Sequence, residues 1–504
     1  MILSHLNLKN IDAPEIIVPD DAIFNLQEKV LQFGTGVLLR GLPDYFIDKA
    51  NRKGIFNGRT VMVKSTSTGS VSEFNDQDCL YTLCVRGIEN GQKIEENIIC
   101  SAISRVLSAG EHWEEILKCA YSPEMKIIIS NTTEVGIQLV KEAITLRPPA
   151  SFPGKLVAFL FERYQAFGGS EASGMVIVPT ELIVGNGDKL KAIVIELARY
   201  NQLNEGFVRW IEKDNSFCNS LVDRIVPGKP DAQTVASFRE KAGYEDGLLT
   251  VAEVYRLWAI EGDEKVKSIL SFAEADKGVV IAPNIETYRE LKLRMLNGTH
   301  TLTCGLAFLA GFVTVKEAMD NEMLSGFITK LMTQEIASAI PCEISKIQTD
   351  EFAAQVLDRF RNPHIKHQWI AITVQFSAKL KMRIVPVLLN HYKNSDKVPA
   401  HIALGFAAYL RFVQVEQEEG GKYFGELNGK RYPVTDDLAH FFYSLKNSIP
   451  ADLWVNTILN NTDLWGTDLT LLPGFEDAVT KNCEAINLEG ALKAIEGLSS
   501  KNKN

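Results

Sequence analysis

The sequence predicts an α/β protein in two parts: a doubly wound parallel sheet, then an all-helical C-terminal domain. Three observations carry that reading. Strand-like and helix-like segments alternate up to about residue 285, as they do in a parallel sheet covered on both faces. A short apolar run ending in Gly34-Thr35-Gly36 opens the first strand–helix unit. After residue 286 strand signals thin out, and apolar residues recur at helical spacing. The predicted domains are therefore 1–285 and 286–504, and 504 residues are too many for one ordinary domain of about 150 residues.

Taken in order, Lys29–Phe33 is the first strand, and Val37–Lys53 reads as one helix with Leu38, Leu39, Leu42, Phe46 and Ile47 on its apolar side. Pro43 is tolerable there only in a first turn. Thr60–Lys64 is the second strand, while Leu80–Arg86 and Ile98–Leu107 read as a hairpin about Glu89-Asn90-Gly91. Helix Glu111–Ala120, strand Lys126–Ser130, helix Pro153–Phe167, strand Met175–Thr180, helix Lys189–Tyr200 and strand Val279–Ala282 continue the alternation. In the second half helices are expected over Tyr288–Leu309, Leu324–Ala339, Glu351–Phe360, His364–Phe376 and Ile402–Val415.

Composition narrows the function classes. With 46% hydrophobic and 23% charged residues the chain has the globular average, which excludes a disordered, collagen-like or disulfide-scaffold protein. The net charge of -10 argues against a nucleic-acid partner. The longest apolar run, Thr303–Val315, falls short of the roughly 18 residues of a membrane span, so no membrane partner is expected. The N-terminus has no long apolar stretch of a signal peptide. Eight scattered cysteines without a C-x-x-C pair read as reduced thiols of a cytoplasmic protein.

Strand, Gly34-x-Gly36, then helix is the arrangement that sets a pyrophosphate at a helix N-terminus. Leu39 stands where the third glycine of that fingerprint would be, and an ordinary strand–helix turn would use the same glycines. The candidate dinucleotide contacts are Phe33, Gly34, Thr35, Gly36, Val37 and Leu38, with Lys64 ending the second strand and Asn131 and Thr132 following Lys126–Ser130. The second strand ends Val63-Lys64-Ser65-Thr66 without the carboxylate that would take a ribose 2′-hydroxyl. Lys64 and Ser65 suit a 2′-phosphate as well, so these residues leave NAD and NADP both open.

Lys292, Asn297 and His300 form the most informative segment. On an α-helix Asn297 and His300 lie about 140° and about 80° round from Lys292, so the three share one side. A buried lysine can serve as a general base, an asparagine amide can donate to a developing alkoxide, and a histidine can orient a hydroxyl. A surface lysine, a capping asparagine and a core histidine are the bland alternative. Asn219 precedes an Asp223-Arg224 pair and Pro227, which also suits a rigid loop with an ion pair. A basic run, Arg359, Arg361, Lys366, Lys379, Lys381 and Arg383, suits either a solvated helix face or a carboxylate. His364 and His367 are three apart, but no nearby acid or cysteine completes a ligand set, so no metal is expected.

Together these segments resemble a known family. Gly34-x-Gly36-x-x-x-Arg40, Gln77-Asp78-x-Leu80-Tyr81-Thr82, Asn219-Ser-x-Val222-Asp223-Arg224-Ile225 and Lys292-x4-Asn297-x2-His300 resemble the long-chain mannitol dehydrogenase family of polyol dehydrogenases. Ser130-Asn131-Thr132-Thr133-Glu134, Asn215-Ser216-Phe217-Cys218 and Arg359-Phe360-Arg361-Asn362-Pro363 look like its branch that reduces tagaturonate to altronate. The resemblance implies a Rossmann-type N-terminal domain, a helical C-terminal domain, NAD as cofactor and no metal. It implies Lys292 as proton donor and base, Asn219 and Asn297 as the alkoxide-stabilising pair, and His300 as the substrate-positioning histidine. Polyol enzymes of the family carry Phe-x-Arg-Ala-His after the glycine turn, where this chain has Leu38-Leu39-Arg40-Gly41-Leu42. The expected activity is reversible, NADH-dependent reduction of D-tagaturonate, a sugar acid whose carboxylate calls for Arg359, Arg361 or Lys379. The alternatives are a fructuronate reductase, a mannitol 2-dehydrogenase, or a non-catalytic dinucleotide sensor.

Overall fold

Strands β1 (Gln27–Phe33) and β2 (Gly58–Lys64) bury both of their faces. Val30, Leu31 and Phe33 are fully enclosed, and so are Val61, Met62 and Val63, the pattern a parallel sheet imposes when helices cover both sides. With β3 (Ile103–Ser108), β4 (Ile127–Ser130), β5 (Val176–Pro179) and β6 (Ser216–Phe217) they form one sheet in the order β3-β2-β1-β4-β5-β6. Every neighbouring pair is parallel. This is the doubly wound order, whose switch point lies between β1 and β4. The computed structural model describes residues 1–66, 70–132 and 135–501, the side chains of 499–501 excepted.

The chain divides into two compact units, Met1–Gly87 with Lys93–Ile285, and Ile88–Gln92 with Glu286–Asn504. The first also holds a mixed three-stranded sheet. In it β7 (Ser220–Asp223) runs antiparallel to β8 (Leu257–Glu261), and β8 runs parallel to β9 (Val279–Ala282).

Two expectations for the first half need correction. Val37–Lys53 is two helices, α1 (Val37–Gly41) and α2 (Pro43–Arg52), broken at Leu42. Pro43 has no N–H to continue the ladder, so it starts a new helix instead. The segment Ile98–Leu107 also divides. Its first residues close a hairpin, Tyr81–Glu89 with Gln92–Cys100, about Asn90 and Gly91 at φ 54° and 73°, the positive-φ pair of a tight hairpin turn. Its later residues are β3. The break falls at Ser101, whose N–H and hydroxyl both donate to the Asp48 carboxylate.

The helical half gathers around α10 (Ala400–Phe412), enclosed over nearly its whole length. Ahead of it in the chain come α3 (Phe152–Ala166) and α4 (Asn186–Tyr200), which pack together in the first unit. Then follow α5 (Glu286–Glu290), α6 (Thr299–Leu309), α7 (Lys346–Phe360), α8 (Phe376–Arg383) and α9 (Val385–Asn394). α10 packs against α6 and α11 (Phe475–Glu489). A Cβ at Gly405 would lie 2.7 Å from the Leu302 side chain, so the α6–α10 approach requires glycine.

This half is not all-helical. Gln417–Glu419, Lys422–Leu427 and Lys430–Pro433 form an antiparallel meander. Its residues are mostly polar and exposed, so they give no apolar alternation, and Tyr432 alone buries a large ring, against Phe308 and Phe412. Tyr288–Leu309 is also not one α-helix, because Leu291–Gly298 winds as a π-helix between α5 and α6. Among the described residues no helix is long and apolar enough to cross a membrane.

Asp44, in the first turn of α2, is fully enclosed; among the described residues its carboxylate accepts only the Gln32 amide, and its Oδ1 and the Gln32 Oε1 find no partner. Burial pushes its carboxyl up to about 7, from 3.8. Between those values the folded protein keeps a proton that the unfolded chain releases. The stability from this group is complete below pH 3.8, declines as pH rises and is lost above about 7. Asp44→Asn should therefore flatten the fall of the urea midpoint between about pH 4 and about pH 8 relative to the parent protein.

Candidate functional site

At the end of β1 the chain turns through Gly34, at φ 130°. A Cβ there would stand 2.8 Å from the Asn131 carbonyl oxygen and 2.8 Å from Leu39, so the close approach of β1 and β4 at the switch point requires glycine. Gly36 is the N-cap of α1 and offers no side chain to the first-turn N–H groups, and among the described residues a Cβ there would meet nothing within 4 Å. Thr35, Val37 and Leu38 are half-buried beside it. The turn therefore presents backbone N–H groups to open space, the geometry that receives a phosphate. Phe33 contributes backbone alone, since its ring is enclosed against Phe152 at 5.2 Å.

The neighbouring strand ends are fastened by polar bonds. Lys64 is buried and its ammonium donates to the Thr66 carbonyl at 2.7 Å. The Ser65 hydroxyl is buried and finds no partner among the described residues. Asn131 donates to the Thr180 hydroxyl at 2.9 Å. Thr132 gives its N–H and hydroxyl to Glu181 at 2.8 and 3.0 Å, and Ser130 donates to the same carboxylate. Glu181, only 3% exposed, is a site residue that sequence reasoning missed, because nothing local marks an acid that ties β4 to β5. Thr133 and Glu134 lie outside the described residues.

Asn219, between β6 and β7, has its amide fully engaged. Its Oδ1 accepts from the Asp188 N–H at 3.1 Å, and its Nδ2 donates to Asp188 at 2.9 Å and to Glu261 at 2.7 Å. To serve an oxyanion, one of the two carboxylate bonds must be exchanged. Asp188 and Glu261 also went unread in the sequence, since they are 31 and 42 residues away. Arg224, which the sequence suggests as an ion pair with Asp223, donates to the carbonyls of Glu253 at 2.8 Å and Gly41 at 2.6 Å.

Lys292, Asn297 and His300 all lie in the second unit. Lys292 and Asn297 are half-buried on the π-helix, and His300 follows in the first turn of α6. An i→i+5 ladder turns less per residue than an α-helix, so the angles of a straight α-helix do not describe this segment. The His300 ring stacks on Phe360 at 4.2 Å and 9°, and meets His367 and Trp369 edge-on at 5.1 and 5.9 Å. Its Nε2 is sealed and finds no partner among the described residues.

Burial pushes the His300 pKa well below 6.5, and His367, Arg359, Arg383 and Lys379 push it the same way. His300 is therefore neutral. Burial also lowers His367, with Arg359 and Lys379 adding to the effect, and lowers Lys379, with Arg383 adding to it. Arg359 and Lys379 thus act on both imidazoles, and Arg383 acts on His300. The Thr299 and Thr303 hydroxyls, Trp369 Nε1 and Arg383 Nε are also sealed without partners among the described residues. Positive charge concentrated on partly dry groups is what a carboxylate needs.

Of the three predicted carboxylate ligands, the structure brings Arg359 and Lys379 to bear on His300. Arg361 instead faces Asp358 at 3.9 Å, with its side chain 42% exposed. Arg383 adds its charge to that cluster. It belongs to the same basic run, but only the fold tells it from Lys366 and Lys381, which are exposed. Among the described residues no group of three or more His, Cys, Asp or Glu could hold a metal ion.

The sequence matches the profile of the mannitol dehydrogenase Rossmann domain over residues 28–272 and that of the mannitol dehydrogenase C-terminal domain over residues 284–487. It is similar to the altronate oxidoreductase of Halalkalibacterium halodurans, 37% identical over 94% of this chain and 93% of that one. The altronate oxidoreductases of Bacillus subtilis and Escherichia coli K12 are each 36% identical, over 93% and 94% of this chain and 95% and 97% of theirs. Among solved structures, Pseudomonas fluorescens mannitol 2-dehydrogenase in a ternary complex with NAD and D-mannitol has a TM-score of 0.68 at 22% identity, covering 99% of this chain and 100% of that one. A substrate-free D-sorbitol dehydrogenase has a TM-score of 0.76 at 20% identity, covering 98% and 100%. These two likenesses are of fold.

The surroundings of Asn219 give a test of charge. Asn219→Asp would remove both amide donors and set a third carboxylate beside Asp188 and Glu261. The variant should melt a few degrees below the parent at neutral pH. The gap should narrow at about pH 4, where carboxylates begin to take protons. Thermal melts at the two pH values check this.

Proposed function

The chain belongs to the mannitol dehydrogenase family, and from that premise we propose that it reduces D-tagaturonate to D-altronate reversibly, with NADH and without a metal ion. The observation that carries the substrate reading is the cation cluster about neutral His300. A uronate brings a carboxylate to such a cluster, whereas a neutral ketose brings nothing that offsets the partial desolvation of Lys379 and Arg383. The altronate oxidoreductases among its relatives support the same class of substrate.

The residues at the first switch point fit the dinucleotide. Backbone N–H groups at Gly34–Leu38 would hold the pyrophosphate, with Asn131 and Thr132 at the neighbouring strand end. Lys64, the cation best suited to a 2′-phosphate, already donates to Thr66, which supports NADH over NADPH. When bound, the cofactor supplies a hydride to the keto carbon. Lys292 gives the proton that turns the developing alkoxide into a hydroxyl, and takes it back in oxidation. The amide of Asn297 donates to the oxyanion. Neutral His300 orients a substrate hydroxyl, and Lys379 and Arg359 hold the carboxylate.

The deciding experiment is NADH oxidation against D-tagaturonate, D-fructuronate and D-fructose, repeated with NADPH and with EDTA. Preference for tagaturonate with NADH, unchanged by EDTA, is expected. Preference for fructuronate or fructose would move the protein to a fructuronate reductase or mannitol 2-dehydrogenase reading. Cofactor binding without turnover would leave a sensor. Lys292→Ala should lower kcat by about two to four decades, and near-normal turnover would exclude its role. Lys379→Met should raise KM for the uronate about tenfold or more and leave KM for D-fructose nearly unchanged, while Arg361→Ala should do far less to either.

A further inference from the structure

We propose that Arg294 and Arg383 form a reciprocal clasp that fixes the π register of Leu291–Gly298, and are thereby positioning residues for Lys292 and Asn297. The proposal rests on the reading of those two residues as the proton donor and an oxyanion donor.

The clasp begins with a missing donor. Pro386 opens α9 and has no N–H, so the Met382 carbonyl four residues earlier loses its helical partner. Arg294, on the π-helix, replaces it. Its Nη1 donates to the Met382 carbonyl at 2.5 Å and to the Arg383 carbonyl at 3.0 Å. Its Nε and Nη2 are held by Glu290 at 2.9 and 3.2 Å, so the side chain, 7% exposed, is fixed at both ends.

The return arm comes from Arg383, the last residue of α8. Its Nη1 donates to the Thr301 hydroxyl at 2.9 Å and, at 3.4 Å, to the Asn297 carbonyl, which also accepts from that hydroxyl at 2.7 Å. Asn297 lies where the ladder passes from i→i+5 back to i→i+4. Its carbonyl is thus held by two donors from side chains. A Cβ at Gly298 would stand 2.9 Å from Ile384, so the two elements are in contact between the arms.

Each arginine therefore holds carbonyls at the end of the other's helix. A π segment carries one residue more than the α register would place there. If the clasp opens and the segment relaxes, Asn297 and His300 turn relative to Lys292 without loss of the surrounding core. Lys379 precedes Arg383 by one turn on α8, so the helix that offers a cation to the carboxylate also sets the position of Asn297.

The test uses the full-length protein with Arg294→Lys, Arg383→Lys, the double variant, and Thr301→Val, which removes only the hydroxyl acceptor. Backbone hydrogen exchange over residues 291–301 reads the clasp without reference to turnover. Steady-state kinetics on D-tagaturonate and D-fructose read its consequence. Each arginine variant is expected to speed exchange in that segment alone and to lower kcat about tenfold to a hundredfold, with KM for both substrates nearly unchanged. Thr301→Val should give a weaker form of the same phenotype. The double variant should be no worse than about twofold below the worse single variant, because both arms serve one register. Multiplying losses would overturn the reciprocity. A rise in KM for the acid alone, with exchange and kcat unaltered, would make Arg383 an anion ligand and overturn the clasp. Faster exchange with unaltered kcat would refute the positioning role if Lys292→Ala is inactive. If Lys292→Ala is active as well, the clasp stands and the reading of Lys292 falls.

Discussion

A guanidinium taken out of water must be surrounded by acceptors, and much of this molecule is arranged to meet that demand. Arg163, fully enclosed, gathers the carbonyls of Ser173, Ala120 and Ser122. Arg59 holds those of Ser101 and Ile103 beside the break between the hairpin and β3. Arg40 and Arg224 tie both sides of the glycine-turn helix, Arg40 to the Leu248 carbonyl and Arg224 to that of Gly41. Arg294 and Arg383 do the same for the π-helix. In each case a loop or helix end is fixed by a charge that cannot be left unpaired, and each of the two candidate site regions is braced in this way.

The electrostatics of the second region run against the charge of the chain as a whole. The protein carries a net -10, yet Arg359, Lys379 and Arg383 act together on His300. Burial comes first in lowering His300, and the cations add to it. The same arrangement that keeps the imidazole neutral makes the region receptive to an anion. The first region has the opposite character. Asp188 and Glu261 flank Asn219, so a neutral amide is the side chain that can sit between them and still donate.

Much of the first half was legible because a parallel sheet writes itself in continuous apolar runs. Lys29–Phe33, Thr60–Lys64 and Lys126–Ser130 could be read as strands for that reason, and Gly34 as a turn because only glycine tolerates φ 130° against the Asn131 carbonyl. The misses are equally physical. The meander at 417–433 hides its strands because most of its residues are solvated, although Asn428-Gly429 carries the hairpin signature. The π-helix hides because an i→i+5 ladder uses the same residue types as an α-helix. The carbonyls that its Arg294 holds lie about 90 residues downstream, at Met382 and Arg383.

What the sequence determined by itself was local: which segments are strands and helices, where glycine must stand, and which residue types able to move a proton or stabilise an oxyanion recur at family spacing. Its motifs also implied the family. The tertiary structure decided which charges act on one another. It separated Arg383 from its exposed neighbours Lys366 and Lys381, turned Arg361 toward Asp358, and gave the Asn219 amide two carboxylates. The reason is that secondary structure follows from the propensities and patterning of neighbouring residues. Desolvation and Coulomb interaction depend instead on distances between residues far apart in the chain, and those distances exist only once the chain has folded.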